Sequence, residues 1–254
     1  MIMITLRHKI MALLLIFLLA MALFVRKKEE CVQTSTNISK RELPIYCVDT
    51  KEKKIAITFD AAWGNEDTGK ILEILENEGV KATFFVTGTW ATKYKDDLKA
   101  IADAGHDIGN HSANHKYMSK LSNDEINVEL STVKEEVLDV TGGEMCLFRP
   151  PYGDYNDNLI REAQKEGYYA IQWSVDSLDW KDYGVKSIIE TVCNNRNLEP
   201  GAIILCHNGA KYTAEALPEL IRRLKDMGYE FVTVSDLIYK DNYYIDVTGK
   251  QRVN

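Results

Sequence analysis

From residue 53 onward, short apolar runs alternate with longer amphipathic stretches. The runs fall at 55–59 (IAITF), 82–87 (ATFFVT), 107–109 (DIG), 169–175 (YAIQWSV), 202–206 (AIILC) and 230–234 (EFVTV). They are short and most are rich in β-branched or aromatic residues, which predicts buried strands. Between them, residues 67–79, 91–104, 123–140, 156–167, 185–197 and 213–227 carry apolar positions at helical spacing. Several of these segments stop at a glycine (Gly79, Gly105, Gly142, Gly167, Gly228), the residue best suited to close a helix in the left-handed conformation. Alternating strands and helices predict parallel strands joined by crossover helices, an α/β fold. Neither GxGxxG nor GxxxxGK[ST] occurs, so the sheet lacks a nucleotide-phosphate cradle.

The ends of the chain differ in kind. Residues 10–25 (IMALLLIFLLAMALFV) have no polar or charged member, and basic residues flank them on both sides. Sixteen residues of helix reach ~24 Å, short of a ~30 Å hydrocarbon core. That suits a short signal-anchor or a signal-peptide core. Arg26, Lys27 and Lys28 follow directly and argue against cleavage at the small residues AMA, 20–22. Residues 1–28 are therefore expected to be an uncleaved signal-anchor that holds the rest outside the cytoplasm; a cleaved signal peptide and a secreted protein are the alternative. Residues 29–50 read as a linker, or as a strand leading into the domain. The domain is expected over 51–240, with a polar tail at 241–254.

Composition narrows the class. The chain has 254 residues, 45% hydrophobic and 27% charged, enough for a packed core. The net charge of −7 and the absence of a basic face argue against a nucleic-acid partner. Five cysteines include no CxxC pair, so neither a zinc ribbon nor a redox motif is indicated. Cys31 and Cys47 are the candidate pair in an exported protein, while buried or idle thiols are the simplest reading.

In α/β folds, chemistry collects at the carboxyl ends of strands. Five strand ends here carry a polar or titratable group. Asp60 follows IAITF, His111 and His115 follow HDIGN, Arg149 follows CLF, Asp176 and Asp179 follow IQWSV, and His207 follows AIILC. On one helical turn, His111 and His115 would share a face and reach one metal ion, although two solvated histidines are the plainer alternative. Asp67, directly before TGKILEIL, is the expected helix cap, which leaves Asp60 free for a site. Pro150 and Pro151 stiffen the chain after Arg149, whose guanidinium could hold a carboxylate in a bidentate pair. His207 beside Asp179 could keep its proton near neutrality and act as a general acid. His106 is expected to serve packing or a local hydrogen bond.

Taken in order, TFDAAWG (58–64), HSANH (111–115), RPPYGDYN (149–156), DSLDW (176–180) and LCH (205–207) resemble the five motifs of the polysaccharide deacetylases of the NodB-homology type, carbohydrate esterase family 4. The variants TFDAAWG and WSVDSLDW look most like the sporulation-associated branch. The resemblance implies a distorted (β/α) barrel of about seven strands. It implies hydrolysis of N-acetyl groups on a cell-wall glycan such as peptidoglycan, assisted by a divalent metal, usually zinc. By motif position Asp60 would be the base, Arg149 its tether, and His111 and His115 the metal ligands. His207 would be the acid, supported by Asp179. The backbone N–H of Tyr152 would face the oxyanion, and Trp180 and Leu205 would line the acetyl pocket.

The match fails at Ala61. The family pattern is Asp-Asp, the second aspartate being the third metal ligand, and alanine has no donor atom. Three outcomes are open: Asn65, Glu66 or Asp67 substitutes, the ion binds weakly with extra waters, or the ion is absent and catalysis is slow or lost. The leading expectation is a deacetylase. The alternatives are a non-catalytic glycan-binding protein of the same fold and a deacetylase for O-acetylated sugars.

Overall fold

The computed structural model describes residues 41–254. The expected membrane segment at 10–25, most of the expected linker and Cys31 lie outside the described residues. Among the described residues no helix is long and apolar enough to cross a membrane. The four described cysteines, Cys47, Cys146, Cys193 and Cys206, are free thiols, with Cys47 and Cys206 buried.

The strands are β1 (Cys47–Val48), β2 (Lys54–Ala61), β3 (Thr83–Val86), β4 (Asp107–Asn110), β5 (Leu147–Phe148) and β6 (Tyr169–Ala170). They continue with β7 (Val175–Asp176), β8 (Ile203–His207), β9 (Glu230–Phe231), β10 (Tyr243–Ile245) and β11 (Lys250–Val253). Seven lie side by side in the order β6-β5-β4-β3-β2-β8-β7, all parallel, and β9 adds to the start of β2. The crossovers are helical: α1 (Thr68–Asn77), α2 (Gly88–Lys93), α3 (Lys95–Asp103), α4 (Asn123–Thr141), α5 (Asp157–Lys165), α6 (Val185–Cys193), α7 (Thr213–Asp226) and the short α8 (Val234–Leu237). Ser122 opens α4 with a reciprocal capping box to Glu125. The single helix expected over 91–104 is two, broken at Tyr94, which leaves helical geometry (φ −122°, ψ 52°) with its ring against Trp90.

Two edges of this sheet are joined by very little chain. β6 and β7 sit at opposite ends of the strand order, yet only residues 171–174 separate them. That segment reaches at most ~17 Å, so the sheet must curl until its edges nearly meet. The run expected as one strand over 169–175 is therefore two, one on each edge, with Gln172, Trp173 and Ser174 crossing the seam. Ile45 fills it: its N–H donates to Ala170 O (2.8 Å), and its carbonyl accepts from the Gln172 N–H (2.7 Å). Two residues later Cys47 bridges Ala202, and the Val48 N–H donates to Gly201 O (2.9 Å). Residues 45–48 thus belong to the domain and stitch its edges. The far end of the chain belongs to it as well. β11 pairs in parallel with β1 and antiparallel with β10, and Gln251 is fully buried, bonding both the N–H and the carbonyl of Tyr239. The boundaries at 51 and 240 expected from composition move outward to take in Glu42–Asn254.

Strand alternation divides the core. Along β2, Ile55, Ile57, Phe59 and Ala61 pack in the large cluster shared with the helices, while Ala56 joins the smaller inner cluster of Ile45, Phe85, Leu147, Ile171 and Ile203. Val234, Leu237 and Ile238 also pack in that inner cluster. The 230–234 run gives only two strand residues because Thr233 turns to cap α8, accepting from the Asp236 N–H. Gly109 in β4 is required by the Phe85 ring, which occupies the space a Cβ would need.

Gly201 marks the tightest point of the seam. Its backbone is left-handed (φ 85°), and a Cβ there would collide with the Val48 carbonyl. Gly201→Ala is expected to cost more than ~2 kcal/mol, combining the left-handed backbone penalty with the steric clash. Urea unfolding monitored by circular dichroism measures it; an unchanged midpoint would show that residues 45–48 are not held in the seam.

Candidate active site

The predicted residues meet at the carboxyl ends of the strands, around a cavity of about 440 Å³. Register brings the first two together. Asp60, one residue before the end of β2, lies directly opposite His207, which ends β8, so their backbones lie ~5 Å apart. Asp60, His111, His115, Tyr152, Trp180, Leu205 and His207 all line the cavity. Arg149 and Asp179 stand behind it, each fully buried.

Asp60 is fixed from below. Arg149 donates Nη1 to Asp60 Oδ1 (2.6 Å) and to Thr58 Oγ1 (2.8 Å), and Nη2 to Gln172 O (3.3 Å). The guanidinium lies 4.0 Å from the centre of the Phe85 ring. One arm of the fork reaches the carboxylate, so the contact is monodentate where a bidentate pair was expected. Burial alone would push the Asp60 carboxyl up; the charge of Arg149, helped by His111 and His207, outweighs it and holds the group below the usual carboxylate range. Asp60 is thus an anion at neutral pH, with Oδ2 3.5 Å from His111 Nε2.

The two histidines come together, although not on a helical turn. Residues 111–117 form a loop, with left-handed backbone at Ser112 (φ 65°) and His115 (φ 53°). Side chains hold that shape in place of a helical ladder. Asn110 Oδ1 accepts the Ser112 N–H, Ser112 Oγ accepts the His115 N–H, and the buried Glu129 of α4 accepts from the backbone and side chain of Asn114. The imidazole centres end 4.9 Å apart. His111 Nδ1 is 2.8 Å from the Arg149 carbonyl. A carbonyl only accepts, so Nδ1 carries the proton. Burial lowers the His111 pKa to about 4, which makes the ring neutral and leaves Nε2 free as a lone-pair donor. Burial lowers His115 as well.

His207 has the opposite setting. Its Nδ1 lies 2.7 Å from Asp179 Oδ1, and its backbone N–H donates to Asp179 Oδ2 (2.7 Å). Asp179 also accepts from Thr213 Oγ1 and the Trp180 N–H. Burial would lower His207, but the hydrogen bond and charge of Asp179 overcome it and raise its pKa. Asp176 lines the cavity too, and burial raises its carboxyl pKa.

None of the candidate substitutes for the absent ligand reaches the histidines. Asn65 bonds Asp97, Glu66 bonds the Asn65 N–H, and Asp67 Oδ1 accepts from the Gly209 N–H. Asp67 stands at the expected cap position, yet its side chain caps nothing. Ala61 is fully buried among apolar residues and does not line the cavity. Among the described residues no group of three His, Cys, Asp or Glu side chains could hold a metal ion. The donor set is two neutral imidazoles, one short of the three protein ligands usual for a catalytic zinc.

Two cavity residues carry no signal in strand-end reasoning. Trp63 stacks on His207 (5.6 Å, 18°) and meets His115 edge-on (6.4 Å), and Trp173 comes from the seam. Trp63 sits in no apolar period, and that was its one sequence signal. His106, as expected, is structural: its Nδ1 accepts the Ala82 N–H.

The fold and the site define a hydrolase-type centre on a curled parallel barrel, with the Asp60 carboxylate and the His207 imidazole facing one cavity. A family model described as polysaccharide deacetylase matches residues 48–171. The peptidoglycan-N-acetylmuramic acid deacetylase PdaA of Bacillus subtilis is 38% identical over 199 residues, covering 77% of this chain and 75% of that protein. A peptidoglycan-N-acetylglucosamine deacetylase of Bacillus cereus is 35% identical, covering 72% and 68%. Among solved structures, the wild-type family 4 pseudoenzyme BA3943 of Bacillus anthracis superposes with a TM-score of 0.74 at 34% identity, covering 83% of this chain and 73% of that one. The chain belongs to the polysaccharide deacetylase family, carbohydrate esterase family 4.

Because Asp179 holds the raised His207 pKa, the imidazolium is stabilised below that value and lost as pH rises through it. Asp179→Asn is expected to lower the His207 pKa, because the hydrogen bond and charge that raise it are lost. NMR titration of the His207 ring reads this directly, and an unmoved midpoint would show that Asp179 does not set it.

Proposed function

We propose that the chain removes N-acetyl groups from amino-sugar polymers of the cell wall, with peptidoglycan as the polymer. One observation carries this reading: Asp60 and His207 flank the same cavity, and each is locked by a buried partner of opposite charge. The Asp60 carboxylate takes a proton from a water, and the resulting hydroxide attacks the acetyl carbonyl. The oxyanion of the tetrahedral adduct faces the backbone N–H of Tyr152, where left-handed geometry (φ 61°, ψ 7°) turns the chain after Pro151. His207 Nε2–H then protonates the sugar nitrogen, the C–N bond breaks, and acetate and a free amine leave. Trp180 and Leu205 flank the acetyl methyl. A divalent ion, zinc by family preference, held at His111 and His115 would polarise the acetyl carbonyl. The names of the two relatives acting on peptidoglycan support the choice of polymer. The apolar run at 10–25 supports a membrane-anchored, extracytoplasmic domain. The motif variants TFDAAWG and WSVDSLDW support a link to spore formation.

A second reading has its own observation. Ala61 and the two-imidazole donor set favour a glycan-binding protein without catalysis, and BA3943 is a family pseudoenzyme of the same fold.

The test uses the full-length chain with N-acetylated glycan oligomers and measures acetate. Wild type is expected to release it, and Asp60→Asn to lower the rate by about 100-fold or more, as loss of a general base does. Zinc uptake is expected to be measurable by calorimetry and lost in His111→Ala. Acetate release that survives Asp60→Asn overturns the mechanism. Glycan binding with neither acetate release nor zinc uptake establishes the second reading.

A further inference from the structure

The cavity is walled by acids, imidazoles and aromatic rings, and by no fixed cation: of its ten lining residues none is lysine or arginine. Two of the three carboxylates at the site are matched. Asp60 pairs with Arg149, and Asp179 pairs with His207. His111 is neutral, and burial lowers His115 as well. Asp176 is the exception. Its Oδ1 accepts the Leu178 N–H (2.8 Å), and among the described residues it forms no ion pair and no hydrogen bond reaches its Oδ2. The charge of Lys181 acts on it from outside the cavity, where the exposed ammonium rests 5.0 Å from the Trp180 ring centre.

Register places that carboxylate. Asp176 ends β7 directly opposite Leu205, two residues before His207 on β8. Both line the cavity, so the spare carboxylate oxygen belongs to the wall assigned above to the acetyl methyl. Trp63, Trp173 and Trp180 make that space largely apolar. An anion short of counter-charge is costly in such surroundings, and burial raises the Asp176 carboxyl accordingly. A cation set against it removes that cost, with an attraction stronger than in water. An acetamido group is neutral and brings no such cation. The same nitrogen without its acetyl does: a free amine of this kind resembles an α-amino group, which keeps its proton up to about pH 7.7.

We infer that the cavity also binds amino-sugar polymer whose nitrogen is already free, with the ammonium held against Asp176. The inference goes beyond the deacetylase reading and rests only on a glycan being the ligand, so it holds with or without turnover. In a deacetylase this ligand is the reaction's own product, retained after acetate leaves. In a protein without catalysis it is glycan on which a de-N-acetylating reaction has already acted.

The experiment mixes the full-length chain with oligomers at about pH 6, where the amine is charged. It reads stopped-flow quenching of tryptophan fluorescence before turnover, since three of the four tryptophans line the cavity. The probes are a glucosamine tetramer, an N-acetylglucosamine tetramer, and tetralysine as a cation without sugar. The glucosamine tetramer is expected to bind about tenfold more tightly than the acetylated one, the weight of one charge-assisted hydrogen bond. Tetralysine is expected to leave the fluorescence unchanged. Asp176→Asn is expected to erase the preference while keeping the affinity for the acetylated tetramer, because the amide oxygen can still accept the Leu178 N–H. Asp176→Ser, whose hydroxyl can close the same turn, is a second variant with the same expectation. Equal or weaker binding of the glucosamine tetramer overturns the inference and leaves the glycan reading standing. A preference that survives both substitutions, or is matched by tetralysine, overturns it in favour of general attraction to a chain of net charge −7. Binding of neither tetramer overturns the inference and the glycan reading together.

Discussion

The buried ion pair between Arg149 and Asp60 is the constraint around which the barrel is arranged. Arg149 is fully enclosed, and an enclosed guanidinium is tolerated only with a counter-charge and partners for its N–H groups. Strand β2 and the seam supply most of them: Asp60 and Thr58 from β2 and the Gln172 carbonyl from the seam bond Nη1 and Nη2, while Nε has no partner. The Phe85 ring supports the guanidinium plane, and Gly109 makes room for that ring. One arginine therefore couples the curl of the sheet to the aim of the Asp60 carboxylate. The Arg149 carbonyl does a second service by fixing the tautomer of His111.

Closure of the barrel is the second dependency. The 171–174 crossing and the Ile45–Val48 segment bring β6 and β7 toward each other, and the same crossing presents Trp173 and the Gln172 carbonyl to the site. Packing at the seam and geometry at the cavity are consequently the same problem. The loops after β2 and β8 are tied in a similar way. Asp67 bonds the Gly209 N–H, Thr68 bonds Asn208, and Asn208 bonds the Gly64 carbonyl. These ties set Trp63 on the face of His207.

Ala61 separates two features that the family pattern keeps together. Asp60, Arg149 and His207 stand at the cavity with their buried partners, while the nearby imidazoles number two. Buried charges such as Arg149 and Asp179 are costly, and each persists here against a charged partner, Asp60 and His207, although Arg149 Nε has no hydrogen-bond partner. An arrangement that served packing alone could replace them with apolar residues at little loss. The site therefore keeps two buried charged pairs, Asp60 with Arg149 and His207 with Asp179, beside two imidazoles.

Much of this was legible in the sequence. Apolar periodicity located the parallel strands and crossover helices, and strand-end position picked out Asp60, His111, His115, Arg149 and His207, because local pattern reports which face is buried and where a strand stops. Strand-end position also offered Asp179 as the partner of His207, and the resemblance to the five ordered motifs pointed to Tyr152, Trp180 and Leu205, which line the cavity. Local pattern could not report what depends on distant partners. That YAIQWSV would divide between two sheet edges follows from closure, a property of the whole sheet. That the polar stretches around Ile45 and Gln251 would be buried follows from the gap they fill. His111 and His115 share a site through a loop held by Asn110, Ser112 and Glu129, which spacing alone had assigned to a helix. The stacking of Trp63 on His207 was invisible for the same reason: it is decided by which surfaces the fold brings face to face. The sequence by itself determined the elements and the chemistry available; only the tertiary structure decided which groups are buried together, and hence which carry charge.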